Sequence, residues 1–135
     1  MIRDAISPAL RSMGFKGSSG RYELPHPDFW ILLGFQKSKA NSETYVKFTI
    51  NIAVVRKSDW EEASLSRPLV PSRPDYSINW GVFGMPGLYG RVGQFMRRGD
   101  LWWKIEYGRR RQTIAREIIQ AVRDDVLPAI ESAIT

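Results

Sequence analysis

The chain has no cysteine and a single histidine among its 135 residues. The missing cysteine excludes a disulfide framework, a thiolate zinc site and a cysteine nucleophile. His26 stands between two prolines, and no serine lies in a G-x-S-x-G turn, so no Ser-His-Asp triad is indicated. Metal-ligand spacings and phosphate-binding glycine motifs are also missing. We therefore predict no catalytic residue, no metal and no cofactor.

Long apolar runs are missing as well. No stretch approaches the roughly 18 apolar residues of a membrane-spanning helix, and the first fifteen residues lack the continuous apolar region of a secretory signal. We therefore expect a cytoplasmic protein that does not engage a membrane. The length fits one domain, residues 1–135, and a hydrophobic fraction of 43% is enough for a core.

Positive charge is in excess and is unevenly placed. The net charge is +6, and residues 91–111 hold seven bases against two acids. Such a segment can attract an anionic partner, although a solvated basic edge is the more ordinary explanation. The candidates for binding an anion or a nucleic acid are Arg91, Arg97, Arg98, Arg109, Arg110 and Arg111.

Apolar spacing predicts a helix at each end of the chain. Ile2, Ile6, Leu10 and Met13 form one stripe that ends at Gly14. A second helix is predicted over residues 110–133, where apolar residues recur every fourth position and Pro128 introduces a kink or a restart. We expect both helices to cover the same face of a sheet.

Two strong strands are predicted over residues 28–38 and 44–55. The second alternates clearly between apolar and polar residues, which is typical of a half-buried strand. We predict a hairpin through residues 40–43 in which Phe35 is opposite Phe48 and Leu33 is opposite Ile50. A slip by one residue would put the apolar faces out of step.

Weaker elements are predicted elsewhere. These are a short strand over residues 20–24, a helical turn over 58–65 capped by Ser58 or Asp59, a strand over 76–84, a glycine-rich irregular connection to Gly99, and a final strand over 101–107. The predicted fold class is therefore α+β, with a mainly antiparallel sheet and an N-terminal and a C-terminal helix packed on one face.

The other face of this sheet is the main candidate for binding. It should carry polar, basic and aromatic side chains, and the segment 84–99 could either leave it open or cover it. The candidate ligand-binding residues are Gln36, Ser38, Lys47, Thr49, Asn51, Trp102 and Lys104. The ordinary explanations are tryptophans packed under a loop and polar side chains that satisfy the hairpin end.

Three segments resemble a bacterial family catalogued as domain of unknown function 4304. They are residues 14–16 (GFK), 35–38 (FQKS) and 48–52 (FTINI). The resemblance covers most of the chain, and it implies a small bacterial cytoplasmic α+β protein. It carries no activity, cofactor or catalytic residue. It does direct attention to Gln36, Lys37, Ser38, Thr49 and Asn51.

Three functions remain open at this point. The first is a non-enzymatic module that binds a protein or a small ligand on the second sheet face. The second is nucleic-acid binding through residues 91–111. The third, an enzyme built on acids and arginines, is the least favoured. Exposed strand edges are also compatible with a homodimer.

Overall fold

A computed structural model describes residues 2–38, 45–67, 70–76, 84–106 and 111–135, with the backbone alone for residues 2–4. Within these ranges the chain forms an α+β fold around a six-stranded antiparallel sheet. The elements in order are α1 (Ile2–Ser12), β1 (Lys16–Ser18), β2 (Arg21–Glu23), β3 (Phe29–Lys37), β4 (Tyr45–Arg56), α2 (Lys57–Ser66), β5 (Leu88–Arg91), α3 (Val92–Phe95), β6 (Trp103–Glu106), α4 (Arg111–Ala121), a π-helical turn (Val122–Val126) and α5 (Leu127–Ile134).

The longest strand, β4, organises the sheet. Strands β1, β2 and β3 follow one another on one side of it, while β5 and β6 share its other edge. Strand β5 pairs with residues 51–54 of β4, and β6 pairs with residues 45–48. The segment that includes α3 links these two short strands, so it brings residues 88–106 to one edge of β4.

The predicted pairing of β3 with β4 is confirmed, but its register is wrong by two residues. Phe35 lies opposite Ile50, not Phe48, and Lys37 takes the position opposite Phe48. The observed register pairs all nine residues of β3, and the ladder continues where the Lys57 N–H donates to the Asp28 carbonyl. A shift by two preserves the face of every side chain, so the two faces are as predicted.

Phe35 and Phe48 still meet, as diagonal neighbours. Their rings are stacked with centroids 5.7 Å apart, a distance that diagonal aromatic side chains on adjacent strands can reach. The predicted hairpin turn at residues 40–43 lies outside the described residues.

The helices α1, α4 and α5 cover the first face, as predicted. Their apolar stripes, with Ile6, Leu10, Ile118 and Ile130 fully or almost fully buried, pack with the inward side chains of the sheet in one large core. The Ser7 hydroxyl and the Tyr22 hydroxyl are hydrogen-bonded inside this core. A buried polar pair of this kind is tolerated because each group satisfies the other.

The C-terminal helix changes its winding just before Pro128. The turn Val122–Val126 is π-helical, and α5 continues from it. Proline has no N–H to donate, and its ring crowds the carbonyl four residues earlier. A widened turn relieves both problems, and this is the form that the predicted irregularity takes.

Several weaker predictions need correction. The helix α2 begins at Lys57 directly after β4, so its N-cap is Arg56, which provides no side-chain cap, and neither Ser58 nor Asp59 has that position. The connection to Gly99 is not irregular throughout, because it contains β5 and α3. The last strand begins at Trp103 instead of residue 101. The strand predicted over 76–84 falls almost entirely on residues 77–83, outside the description.

Candidate functional site

The second face of the sheet is divided into a covered half and a polar half. Over the covered half, Trp60 of α2 packs with Val55 and Met85, and Trp30 packs against this small cluster. The Trp60 indole N–H donates to the Pro71 carbonyl at 2.9 Å, which holds the loop after α2 in place. The sequence left open whether the segment 84–99 covers this face; the structure shows that α2, through Trp60, and this segment, through Met85, both contribute to the cover.

The cover reaches Gly34 in the centre of β3. A Cβ atom at this position would lie 2.5 Å from the Tyr76 carbonyl oxygen, so the backbone at Tyr76 approaches the sheet too closely for any side chain. Asn51 is the residue opposite Gly34. The polar half of the face begins beside this contact.

Four half-buried side chains, Gln36, Asn51, Arg91 and Trp102, form what we call the polar strip. It runs across the sheet from β3 to the segment before β6. The Asn51 amide Nδ2 donates to Gln36 Oε1 at 2.8 Å, and Arg91 of β5 lies directly opposite Asn51. The guanidinium of Arg91 then lies over the Trp102 ring, 5.0 Å from its centroid.

Asp100 holds the outer end of the polar strip together. Its Oδ2 accepts from Arg91 Nη1 at 2.9 Å and from the Trp102 indole N–H at 3.1 Å. These two contacts, the indole hydrogen bond first, lower the pKa of the Asp100 carboxyl below its usual value. Sequence reasoning missed Asp100. The two-residue spacing Asp100-x-Trp102 places both side chains on one side of an extended segment and could have indicated the contact.

A second cation and aromatic ring lie along the same face, between β4 and β6. Lys104 Nζ is 4.3 Å from the centroid of the Tyr45 ring and 3.7 Å from Glu106 Oε1. Lys47 lies directly opposite Lys104. The sequence singled out both lysines, but it missed Tyr45, which is brought here by the pairing of β4 with β6.

Thr49 and Ser38 have backbone roles. The Thr49 side chain is completely buried, and its hydroxyl donates to the Leu101 carbonyl at 2.8 Å. It therefore joins β4 to the segment before β6, between the stretches paired with β5 and with β6. Ser38 follows β3, and its backbone N–H donates to the Lys47 carbonyl.

The structure separates the basic cluster of residues 91–111. Arg91 and Lys104 lie on the second sheet face, whereas Arg98 pairs with Glu117 of α4 at 3.1 Å. Arg97 is exposed and has a left-handed backbone with φ of 58°. Arg111 is exposed at the start of α4, and Arg109 and Arg110 lie outside the described residues. The described arginines of the cluster thus do not share one surface.

A groove of about 210 Å³ lies away from the polar strip, between α2 and residues 84–86. Its lining includes Asp59 and Glu62, with Ala63 and Met85 among its apolar residues. Nearby, burial and then the charge of Asp59 raise the pKa of Tyr89 to about 12. The start of the segment 84–99 thus forms one side of this groove, and α2 forms the other.

Among the described residues, no group of three or more histidines, aspartates or glutamates is arranged to hold a metal ion. His26 has a local contact instead, because its Nδ1 accepts from the Asp28 backbone N–H at 3.0 Å. None of the described helices has the length and apolar character required to cross a membrane.

Comparison with known proteins agrees with the resemblance seen in three short segments. No curated protein and no solved structure matches the chain. The family described as Domain of unknown function (DUF4304) matches residues 6–132. This match includes all the strands that the structure describes, the polar strip and most of α5. The chain therefore belongs to the DUF4304 family.

Proposed function

We propose that this domain is a binding module and that the polar strip is its ligand site. The observation that carries the proposal is the geometry of the strip, in which an amide pair and an arginine–tryptophan pair lie side by side on one sheet face. Each side chain is held by a neighbour and is still partly exposed. Such preorganisation lowers the entropy that binding would otherwise cost.

The amide pair offers hydrogen-bonding groups to a ligand. The Asn51–Gln36 bond uses one Asn51 N–H and the Gln36 carbonyl oxygen. Within the described part of the chain, no other hydrogen bond engages the side-chain atoms Gln36 Nε2 and Asn51 Oδ1. This half-buried pair therefore retains a donor and an acceptor for a ligand, which suits a planar polar group.

The strip also offers charge and an aromatic surface. The Arg91 side chain is 37% exposed, and its only ion pair with a described residue goes through Nη1. The other guanidinium nitrogens can donate to a ligand oxygen, since a guanidinium has five N–H donors. Trp102 adds a half-buried indole, a group that contributes strongly to binding surfaces.

The test is a fragment screen observed by two-dimensional ¹H–¹⁵N NMR of the full chain. The probes are nucleosides, phosphate esters, carboxylates and amino-acid amides. We expect hits to shift the Trp102 indole signal and the Asn51 and Gln36 amide signals, with the Trp60 indole signal as the internal reference. The double variant Asn51→Ala, Trp102→Ala should lose the hits.

The matched control is Glu62→Ala, Ser66→Ala, which alters the groove beside α2 and leaves the polar strip intact. This variant should retain the hits. Hits that shift only groove residues, or that survive in the folded Asn51→Ala, Trp102→Ala variant, would contradict the proposal.

A further inference from the structure

We infer that the ligand of the polar strip is a single-stranded nucleic acid, an inference that rests on the proposed function. Three features of the second sheet face indicate this class of ligand. These are its cations, the aromatic rings on which the cations lie, and the half-buried amide pair of Gln36 on β3 and Asn51 on β4.

The charge of this face suits a polyanion. This face carries the cations Arg91, Lys47 and Lys104, on a chain whose net charge is +6. The pairs of Arg91 with Asp100 and of Lys104 with Glu106 are solvent-exposed, with side-chain exposures between 37% and 55%. Exposed ion pairs contribute little net stability, so phosphate oxygens can replace either carboxylate at little cost.

Cations and rings alternate along the face. The Arg91 guanidinium lies over Trp102, and the Lys104 ammonium lies over Tyr45. Proteins that bind single strands combine a basic surface, which follows the phosphates, with aromatic side chains on which bases stack. In a duplex the base faces are already stacked and its outer surface is phosphate, so a duplex cannot use the rings in this way.

The side-chain amides of Gln36 and Asn51 provide contacts to a base. The hydrogen-bonded side chains of Gln36 and Asn51 retain a donor, Gln36 Nε2, and an acceptor, Asn51 Oδ1, and Asn51 lies opposite Arg91. Unpaired bases expose a complementary donor and acceptor on their edges, whereas a paired strand has used its Watson–Crick edge. The two amides therefore favour an unpaired base over a bare phosphate chain.

The test is fluorescence anisotropy of the full chain with fluorescein-labelled ten-nucleotide RNA and DNA, single-stranded and duplex. We expect binding of the single strands, weakened about sevenfold between 50 and 200 mM salt if two phosphates are neutralised. The double variant Arg91→Gln, Lys104→Gln should weaken binding by about tenfold or more, because it removes both contacts.

The matched control is Arg98→Gln, Arg116→Gln, which removes the same charge from residues on or paired with α4. It should change the affinity less than about threefold, because nonspecific attraction by net charge falls off beyond a Debye length. Urea unfolding of both double variants establishes that each is folded.

Three results would overturn the inference: no single strand bound at 50 mM salt, tighter binding of the duplex, or equal losses in the two double variants. The NMR screen distinguishes this from failure of the proposed function. If oligonucleotides do not bind but fragments still shift the signals of the polar strip, only the nucleic-acid inference fails. If neither probe affects the strip, both fail.

Discussion

Asn51 and Gln36 are hydrogen-bonded across β3 and β4, although neither lies directly opposite the other. Gln36 pairs in register with Thr49, and Asn51 pairs with Gly34. Because Gly34 has no side chain, the Asn51 amide can extend diagonally and donate to Gln36 at 2.8 Å. The inner end of the polar strip thus depends on a residue without a side chain in the neighbouring strand.

This bond should appear as a coupling energy in a double-mutant cycle. We expect Asn51→Ala and Gln36→Ala to be less than additive, with an interaction of about 0.5–1.5 kcal/mol, the usual net value of one hydrogen bond. The measurement is the free energy of unfolding in urea for the two single variants, the double variant and the parent. Additivity within about 0.3 kcal/mol would show that the bond contributes nothing to stability.

Thr49 should be important for stability and not for binding. Thr49→Val keeps the shape of the side chain but leaves the partly buried Leu101 carbonyl without its donor, so we expect a loss of about 1–3 kcal/mol in the free energy of unfolding. The control is Thr49→Ser, which keeps the hydroxyl and should cost about 0.8 kcal/mol for the lost methyl group. If Val proves more stable than Ser at this position, the hydrogen bond is not the reason for the polar residue.

Gly34→Ala should loosen the cover over the second sheet face. The new Cβ would lie 2.5 Å from the Tyr76 carbonyl oxygen, and overpacking of this kind costs about 1–3 kcal/mol. Gly90→Ala is the matched control, because its Cβ meets Gln94 Oε1, the end of a flexible side chain, at the same 2.5 Å. Urea unfolding should show the larger loss for Gly34→Ala, and equal losses would contradict the close backbone approach.

The contact between Asp100 and Trp102 should be lost only below the usual pKa of an aspartate. The folded-state pKa of Asp100 is lowered from 3.8, so its stabilising effect is complete above the unfolded pKa and disappears as the pH falls through the folded value. The Trp102 indole ¹H shift should therefore titrate with a midpoint below 3.8, which NMR can follow. Asp100→Asn should abolish this titration, and a midpoint at or above 3.8 would contradict the contact.

The residue pattern by itself determined the faces of the sheet. The period-two alternation in β4 placed Phe48, Ile50, Ile52 and Val54 on one side. The apolar residues that recur at every fourth position near the C-terminus predicted the helix that covers that side. Both patterns follow from burial of apolar surface, which depends on local periodicity and not on the partner. The family resemblance was also visible in short segments of the chain and is confirmed by the match over residues 6–132.

Only the tertiary structure decided how the strands are aligned and which polar residues meet. A shift of β3 against β4 by two residues leaves every face unchanged, so alternation cannot distinguish Phe35 opposite Phe48 from Phe35 opposite Ile50. The pairing of β5 and β6 with one edge of β4 joins residues far apart in sequence. This long-range pairing buries Thr49 and brings Arg91, Asp100 and Trp102 close to Asn51. The local sequence could not predict these contacts, because the pairing of strands along a sheet edge depends on the packing of the whole sheet.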